Sequence, residues 1–333
     1  MQAITIDSRL QRLEFMNIDE PELGGSQVRV AVRAASLNRA DLAVLAGTHG
    51  GGAVGIAGLD AAGEIIDIGD DVDEFKVGDR VMMMISGGLA ERVVVDTSMA
   101  IRIPDEWSYV EGAAAVLGLM TAHNALVTAG RMSRGDSVLI HAATSAVGVQ
   151  SVQLARHFGA GWVVGTARSL REIDALRALG MDELIVAAAP GWAKRARELT
   201  DDRGFDIVLD FAGGPYLAKN IEATAIKGRI IGIGRLAGAD GHLDMEKLAY
   251  KRLEIIGVTF RTRDGDEKQA IAAGVRQLLN EPGADPTSRA AHALRPVVER
   301  TMSWTKAGEA YQHLQETRGL GKVVLEVNGR NHV

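Results

Sequence analysis

The stretch Val138-Leu-Ile-His-Ala-Ala-Thr-Ser-Ala-Val-Gly148, running on into Gln153-Leu-Ala-Arg156, decides the fold. Val138–His141 is a short apolar run that reads as a buried strand, and Val147–Phe158 carries helical apolar spacing. Between them lie small residues that permit a tight turn. A strand, such a turn and a helix start together offer unpaired N–H groups and a partial positive charge, which suit a pyrophosphate. The candidate cradle is Thr144, Ser145, Ala146, Val147 and Gly148. Ser145 and Ala146 stand where two glycines of the usual dinucleotide fingerprint sit, and only Gly148 is intact. Taken alone, the motif also reads as an ordinary strand-to-helix turn.

The following strand, Trp162–Thr166, sharpens the reading. It ends Gly165-Thr-Ala-Arg-Ser169. A fold that binds NAD places an acid at this strand end, to hold the ribose 2′-hydroxyl. Ala167 occupies that position here, with Arg168 and Ser169 next and Arg171 close behind. A missing acid with an adjacent arginine suits a 2′-phosphate, which points to NADPH. The bland alternative is that Arg168 is a solvated residue at a helix start.

Working outward, strands alternate with amphipathic helices from about Gly135. Strands are predicted at Val138–His141, Trp162–Thr166, Glu183–Val186, Asp206–Asp210, Arg229–Ile233 and Ile255–Val258. Helices between them argue for a parallel, doubly wound sheet. The first third reads differently. Short β-branched runs at Ile4–Ile6, Leu13–Ile18, Val28–Ala35, Ala61–Ile68, Arg80–Ile85 and Glu91–Val95 predict a compact, mostly β, barrel-like domain with one helix at Asn38–Ala46. The tail predicts a helix at Asp264–Leu279, a polar loop at Asn280–Ala291, a strand near Pro296–Val298, a helix at Thr305–Glu316 and a strand at Val323–Val327. The expected division is 1–118, 119–261 and 262–333, with the outer two parts forming one split domain around a Rossmann domain.

Composition removes several classes. The 333 residues carry a net charge of −6 with no basic run, which gives no footprint for nucleic acid or an anionic membrane. There is no cysteine, so disulfides, thiolate zinc sites and a cysteine nucleophile are absent. The eight histidines are dispersed, without an HExxH motif. Met1–Phe15 carries Asp7, Arg9, Arg12 and Glu14 and no apolar signal region. The longest apolar run, Ala113–Gly130, contains His123 and Asn124 and reads as a buried helix. The cytoplasm is the default expectation.

Several segments together resemble the zinc-free quinone oxidoreductase group of the medium-chain dehydrogenase/reductase family. They include Ser36-Leu-Asn-Arg-Ala-Asp41, Gly58-Leu-Asp-Ala-Ala-Gly63, Phe75-Lys-Val-Gly-Asp-Arg-Val81 and Gly88-Leu-Ala-Glu91. Further matches are Gly204-Phe-Asp-Ile-Val-Leu-Asp210, Gly213-Gly214, Lys247-Leu-Ala-Tyr-Lys-Arg-Leu253, Thr259-Phe-Arg-Thr-Arg263 and Gly321-Lys-Val-Val-Leu325. The resemblance runs from about Val28 to Val327. It implies a split catalytic domain around a Rossmann domain, an active site in the cleft between them, and a dimer that joins the last Rossmann strand, Ile255–Phe260, to its copy. It also implies that Asn38 and Asp41 lie near the nicotinamide, although an asparagine opening a helix reads equally as an N-cap. Gly234 and Arg263 complete the expected cofactor contacts.

The chain departs from that pattern at His49, where many relatives carry a tyrosine. A histidine can donate a proton near neutral pH, or simply sit in a loop. The Gly78–Arg80 turn is expected to hold a structural ion pair. No metal is expected. The implied activity is NADPH-dependent hydride transfer to a quinone or an activated α,β-unsaturated carbonyl compound. The rivals are an enoyl reductase acting on one acyl or natural-product double bond, and a non-catalytic NADPH-binding regulatory protein.

Overall fold

The structure is a computed structural model and describes residues 1–48, 54–189, 191–280, 294–316 and 319–327. The chain opens with β1 (Gln2–Asp7), β2 (Arg12–Asn17), β3 (Gln27–Leu37), α1 (Arg39–Leu45) and β4 (Val54–Ile56). β5 (Asp60–Ile68), β6 (Arg80–Met84), β7 (Arg92–Asp96) and β8 (Ile101–Arg102) follow. α2 (Tyr109–His123) continues into a π-helical stretch, Asn124–Ala129. Strict alternation then begins: β9 (Ser137–Ile140), α3 (Ala146–His157), β10 (Trp162–Ala167), α4 (Ile173–Ala178), β11 (Glu183–Val186) and α5 (Trp192–Glu198). It continues through β12 (Phe205–Asp210), α6 (Leu217–Ala223), β13 (Thr224–Gly232), α7 (Met245–Lys251) and β14 (Glu254–Gly257). The chain ends with α8 (Gly265–Asn280), β15 (Val298–Ser303), α9 (Ala307–Glu316) and β16 (Lys322–Glu326).

Two compact units result. One is β-rich and takes Met1–Leu117, Lys268–Asn280 and the chain from Pro296. The other is α/β and takes Gly118–Glu267 together with residues 294–295. The second joint falls inside α8, later than the expected position at 261.

The α/β unit is a six-stranded parallel sheet in the order β11-β10-β9-β12-β13-β14. Short, continuously apolar strands suit a sheet covered by helices on both faces, and all four residues of β9 are buried. Leu139, Val164, Phe205, Val208 and Ile230 pack with Trp192 and Ile221 in one core cluster. Each such side chain contributes roughly 1.5–3 kcal/mol when fully buried. The order reverses direction at β9. Ile140 lies beside Gly165 on one side and Leu209 on the other, so the carboxyl ends of β10, β9 and β12 share one edge. That edge is where an open α/β sheet binds its ligand.

In the β-rich unit the sheet order is β15-β16-β3-β5-β6-β8, with β7 also on β3, beside a separate sheet β2-β1-β4. The unit is mostly β, as expected, and its described strands form no closed barrel. The eleven-residue β3 divides its partners along its length: β5 and β7 take its first part and β16 its last. Bulges between Arg29 and Val30 and between Val32 and Ala34 bend it there. A correction concerns β15. The strand runs over Val298–Ser303 rather than Pro296–Val298, as fits a proline that brings no N–H to a ladder.

The apolar stretch Tyr109–Ala129 is long and apolar enough to cross a membrane by length and composition, yet 72% of its window is buried inside the fold. It is a core helix of this structure. The Gly78–Arg80 turn holds the ion pair Asp79–Arg102, at 3.0 Å.

Candidate functional site

β9 ends at His141, and the chain turns sharply. Ala142 takes a left-handed conformation with φ +48°, unusual for a residue with a side chain. The Ala143 N–H donates to the Thr166 carbonyl at 2.9 Å, which locks the turn to β10. Ser145 caps α3, its Oγ accepting from the Gly148 N–H at 3.1 Å. The N–H groups of Ala146 and Val147 lie in the first helical turn, without an intrahelical acceptor. Thr144 to Val147 are half-buried, so the turn is partly open. Gly148 is required by packing: a Cβ there would lie 2.3 Å from the Ala142 oxygen and 2.9 Å from the Ala143 backbone.

Beneath this turn His141 is fully enclosed. Its Nδ1 meets Thr166 Oγ1 at 2.9 Å and its Nε2 meets Asn220 Oδ1 at 2.7 Å. Its ring packs edge-on against Trp192 and Tyr216. Burial pushes its pKa down, so the ring is neutral near neutral pH. It ties β9, β10 and α6 together. A histidine closing an apolar strand run was the available signal for it, and the motif reading gave it no role.

At the neighbouring strand end Ala167 is buried, while Arg168, Ser169 and Arg171 are exposed. Ser169 Oγ accepts from the Arg171 N–H at 3.4 Å. The structure thus brings Thr144–Gly148 and Ala167–Arg171 to the same sheet edge. Asp210, the acid that ends β12, is consumed by its own turn, accepting from the Ala212 and Gly213 N–H groups at 2.8 and 2.9 Å. Gly234 follows β13, and a Cβ there would meet the Phe211 oxygen at 2.7 Å. Arg263 spends two donors internally, on Asn124 Oδ1 at 3.0 Å and Glu267 Oε1 at 2.7 Å.

The expected catalytic residues fall in the β-rich unit. His49 lies outside the described residues, as does most of the expected polar loop after Asn280. Asn38 opens α1, and its N–H donates to Asp41 Oδ2 at 2.7 Å. That contact is half of a capping box, the plain reading of an asparagine here. The Asn38 side chain is also engaged. Its Nδ2 donates to Asp60 Oδ2 at 2.9 Å and to the Ser36 carbonyl at 3.4 Å. Its Oδ1 accepts from Lys322 Nζ.

Around it sits a charged cluster that motif reading missed. Asp60 accepts from the N–H and hydroxyl of Ser36 at 2.7 and 2.6 Å, and Lys322 lies 3.8 Å away. Asp41, Asp60 and Lys322 are at most 2% exposed. Burial, and then the Asp60 charge, push Asp41 up to about 7. Burial pulls Lys322 down, against both aspartates. The signal was present in the sequence, since Asp60 directly precedes Ala61-Ala-Gly63 and Lys322 directly precedes Val323-Val-Leu325.

An open α/β sheet with a half-open turn at its switch point is the arrangement of a dinucleotide-binding fold. Residues 24–105 match the family described as alcohol dehydrogenase GroES-like domain, and residues 146–278 the one described as zinc-binding dehydrogenase. A solved NAD-dependent alcohol dehydrogenase is 30% identical, with a TM-score of 0.82, and covers 98% of this chain and 100% of its own. A quinone oxidoreductase of Pseudomonas syringae pv. Tomato DC3000 is 25% identical, with a TM-score of 0.82 and 98% and 99% coverage. Erythronolide synthase EryA2 of Saccharopolyspora erythraea is 37% identical over 311 residues, 93% of this chain and 8% of that protein. The chain spans between 5% and 18% of the length of the curated relatives it matches. This chain belongs to the medium-chain dehydrogenase/reductase family. The zinc in one family description does not fit its residues. The chain has no cysteine, and among the described residues no three His, Asp or Glu side chains converge.

Proposed function

We propose that the protein is an NADPH-dependent reductase that passes hydride to a quinone or an activated α,β-unsaturated carbonyl compound. The observation that carries this reading is the end of β10, where Ala167 replaces the acid and Arg168 stands exposed at the ligand edge of the sheet. NADPH, when bound, supplies the hydride. The chain binds and orients it. The Ala146 and Val147 N–H groups would hold the pyrophosphate, Gly148 keeps the turn tight, and Arg168, with Ser169 and Arg171, would hold the 2′-phosphate. Gly234 and Arg263 shape the sheet edge, with Arg263 acting through Asn124. Asn38 and Asp41 hold the α1 entry, and His49 is a candidate proton donor.

For an enone, hydride adds at the β-carbon and the electron pair moves to the carbonyl oxygen. A proton from solvent or from His49 then completes the α-carbon. Conjugation spreads the developing charge. An isolated ketone needs a positioned donor instead, worth roughly 2.7–4 kcal/mol. The thiolate ligands with which zinc enzymes meet that need are missing from this sequence.

A second reading, an enoyl reductase on an acyl chain, draws on the polyketide synthases among the relatives. One experiment addresses both readings. NADPH consumption is followed with a quinone, a small enone and a crotonyl thioester, each repeated with NADH. Turnover with the quinone or enone is expected. NADPH should bind at least about tenfold tighter than NADH, since a hydrogen bond to a charged group contributes roughly 1.5–3 kcal/mol. Turnover of the thioester alone selects the second reading. NADPH binding without turnover selects a regulatory protein. Efficient NADP-linked oxidation of a secondary alcohol, with these acceptors inert, overturns the proposal.

We further propose a homodimer. β14 pairs only with β13 among the described strands, leaving an open edge with Ile255 exposed. Light scattering at micromolar concentration should give twice the monomer mass, and a monomer would refute it.

A further inference from the structure

The cluster around Asn38 places two carboxylates and one ammonium in a volume that water does not reach. Asp60 is answered by the Ser36 N–H and hydroxyl, by Asn38 Nδ2 and by Lys322. Asp41 is met by the Asn38 N–H, and Lys322 is the cation that faces both aspartates. Tyr311, on α9, lies close enough to feel both aspartates, and its buried hydroxyl has no hydrogen-bond partner. Buried charge is tolerated when it is paired, and an unpaired carboxylate in such a place takes up a proton instead. With both aspartates ionised the cluster carries one uncompensated negative charge. One bound proton makes it neutral.

We propose that Asp41, Asp60, Lys322 and Tyr311 form a one-proton site that makes the docking of α1 depend on pH. Asp41 is the holder, because the other carboxylate already has the ammonium and three donors. The groups facing it are Asp60 from β5, Lys322 from β16 and Tyr311 from α9. β1, which also packs on α1, carries Asp7, and that side chain is paired at the surface with Arg9. Asp41 is thereby pushed up to about 7. An acid whose pKa is raised in the fold contributes stability that is fully present below its unfolded value, about 3.9. That stability is lost as pH rises through about 7. When Asp41 ionises, the free Tyr311 hydroxyl is the donor at hand. α1 is seven residues long and joins the rest of its unit through few packed neighbours, so it is the element that gives way.

The carboxyl carbon of Asp41 is to be followed by carbon-13 NMR in the full chain from pH 4 to 9, its signal assigned by loss in Asp41→Asn. The expected midpoint lies above about 6, against about 3.9 for an unperturbed aspartate. Over the same range, amide exchange in α1 is measured against that of β5, which cancels the intrinsic pH dependence. The α1-to-β5 ratio should rise at least about tenfold between pH 5 and pH 8, since one pKa unit is a factor of ten. Asp41→Asn should flatten that rise. A midpoint below about 5, or a ratio independent of pH in the wild type, overturns the proposal. The exchange ratio stands on the wild type alone if the variant fails to fold.

Discussion

Gly148→Ala is expected to weaken NADPH binding about 10- to 100-fold while the β-rich unit stays folded. The added methyl carbon would sit 2.3 Å from the Ala142 oxygen and 2.9 Å from the Ala143 backbone. Neither neighbour is the tip of a flexible side chain. Ala142 already holds a left-handed φ of +48°, and the Ala143 N–H is pinned to Thr166. The turn must therefore open, and forced overpacking costs typically about 1–3 kcal/mol. Opening swings the Ala146 and Val147 N–H groups away from their common focus. Fluorescence titration of NADPH checks the binding, and thermal unfolding checks the fold. An unchanged dissociation constant would place the pyrophosphate elsewhere.

Lys322→Met is expected to cost about 3–5 kcal/mol of folding stability, the cost of breaking a buried ion pair from one side. The change takes from the buried Asp60 its paired cation, and from Asn38 Oδ1 its donor. The companion Lys322→Met with Asp60→Asn should recover at least half of the loss, because no unpaired charge then remains. Urea unfolding of the two variants beside the wild type measures both. A single variant within about 1 kcal/mol of the wild type would mean that the ion pair contributes little.

Much of the α/β unit was legible along the chain. Glu183–Val186 agrees with the observed β11, and the other strands of that sheet shift by a few residues. Parallel strands buried on both faces are written as continuous apolar runs, and each helix between them carries its own period. The 3.6-residue and two-residue periods are local properties, so a linear reading recovers them. The β-rich unit was harder. Its strands were visible, but β3 serves β5, β7 and β16 at once, and a bulge that redistributes partners leaves no periodic mark. The π-helical turn at Asn124–Ala129 was invisible for the same reason, since its apolar composition continues that of α2.

The sequence by itself determined the class: a strand, a tight small-residue turn and a helix, an alanine followed by an arginine where NAD-binding folds put an acid, and no cysteine to hold zinc. These are properties of neighbouring residues or of composition. Only the tertiary structure decided what Asn38 and Asp41 touch. Lys322 stands 284 positions from Asn38 in the chain, and the two meet because β16 pairs antiparallel with the end of β3. Whether a buried charge is paired, and hence whether its neighbour keeps a proton, depends on distances that the chain sets only after it has folded.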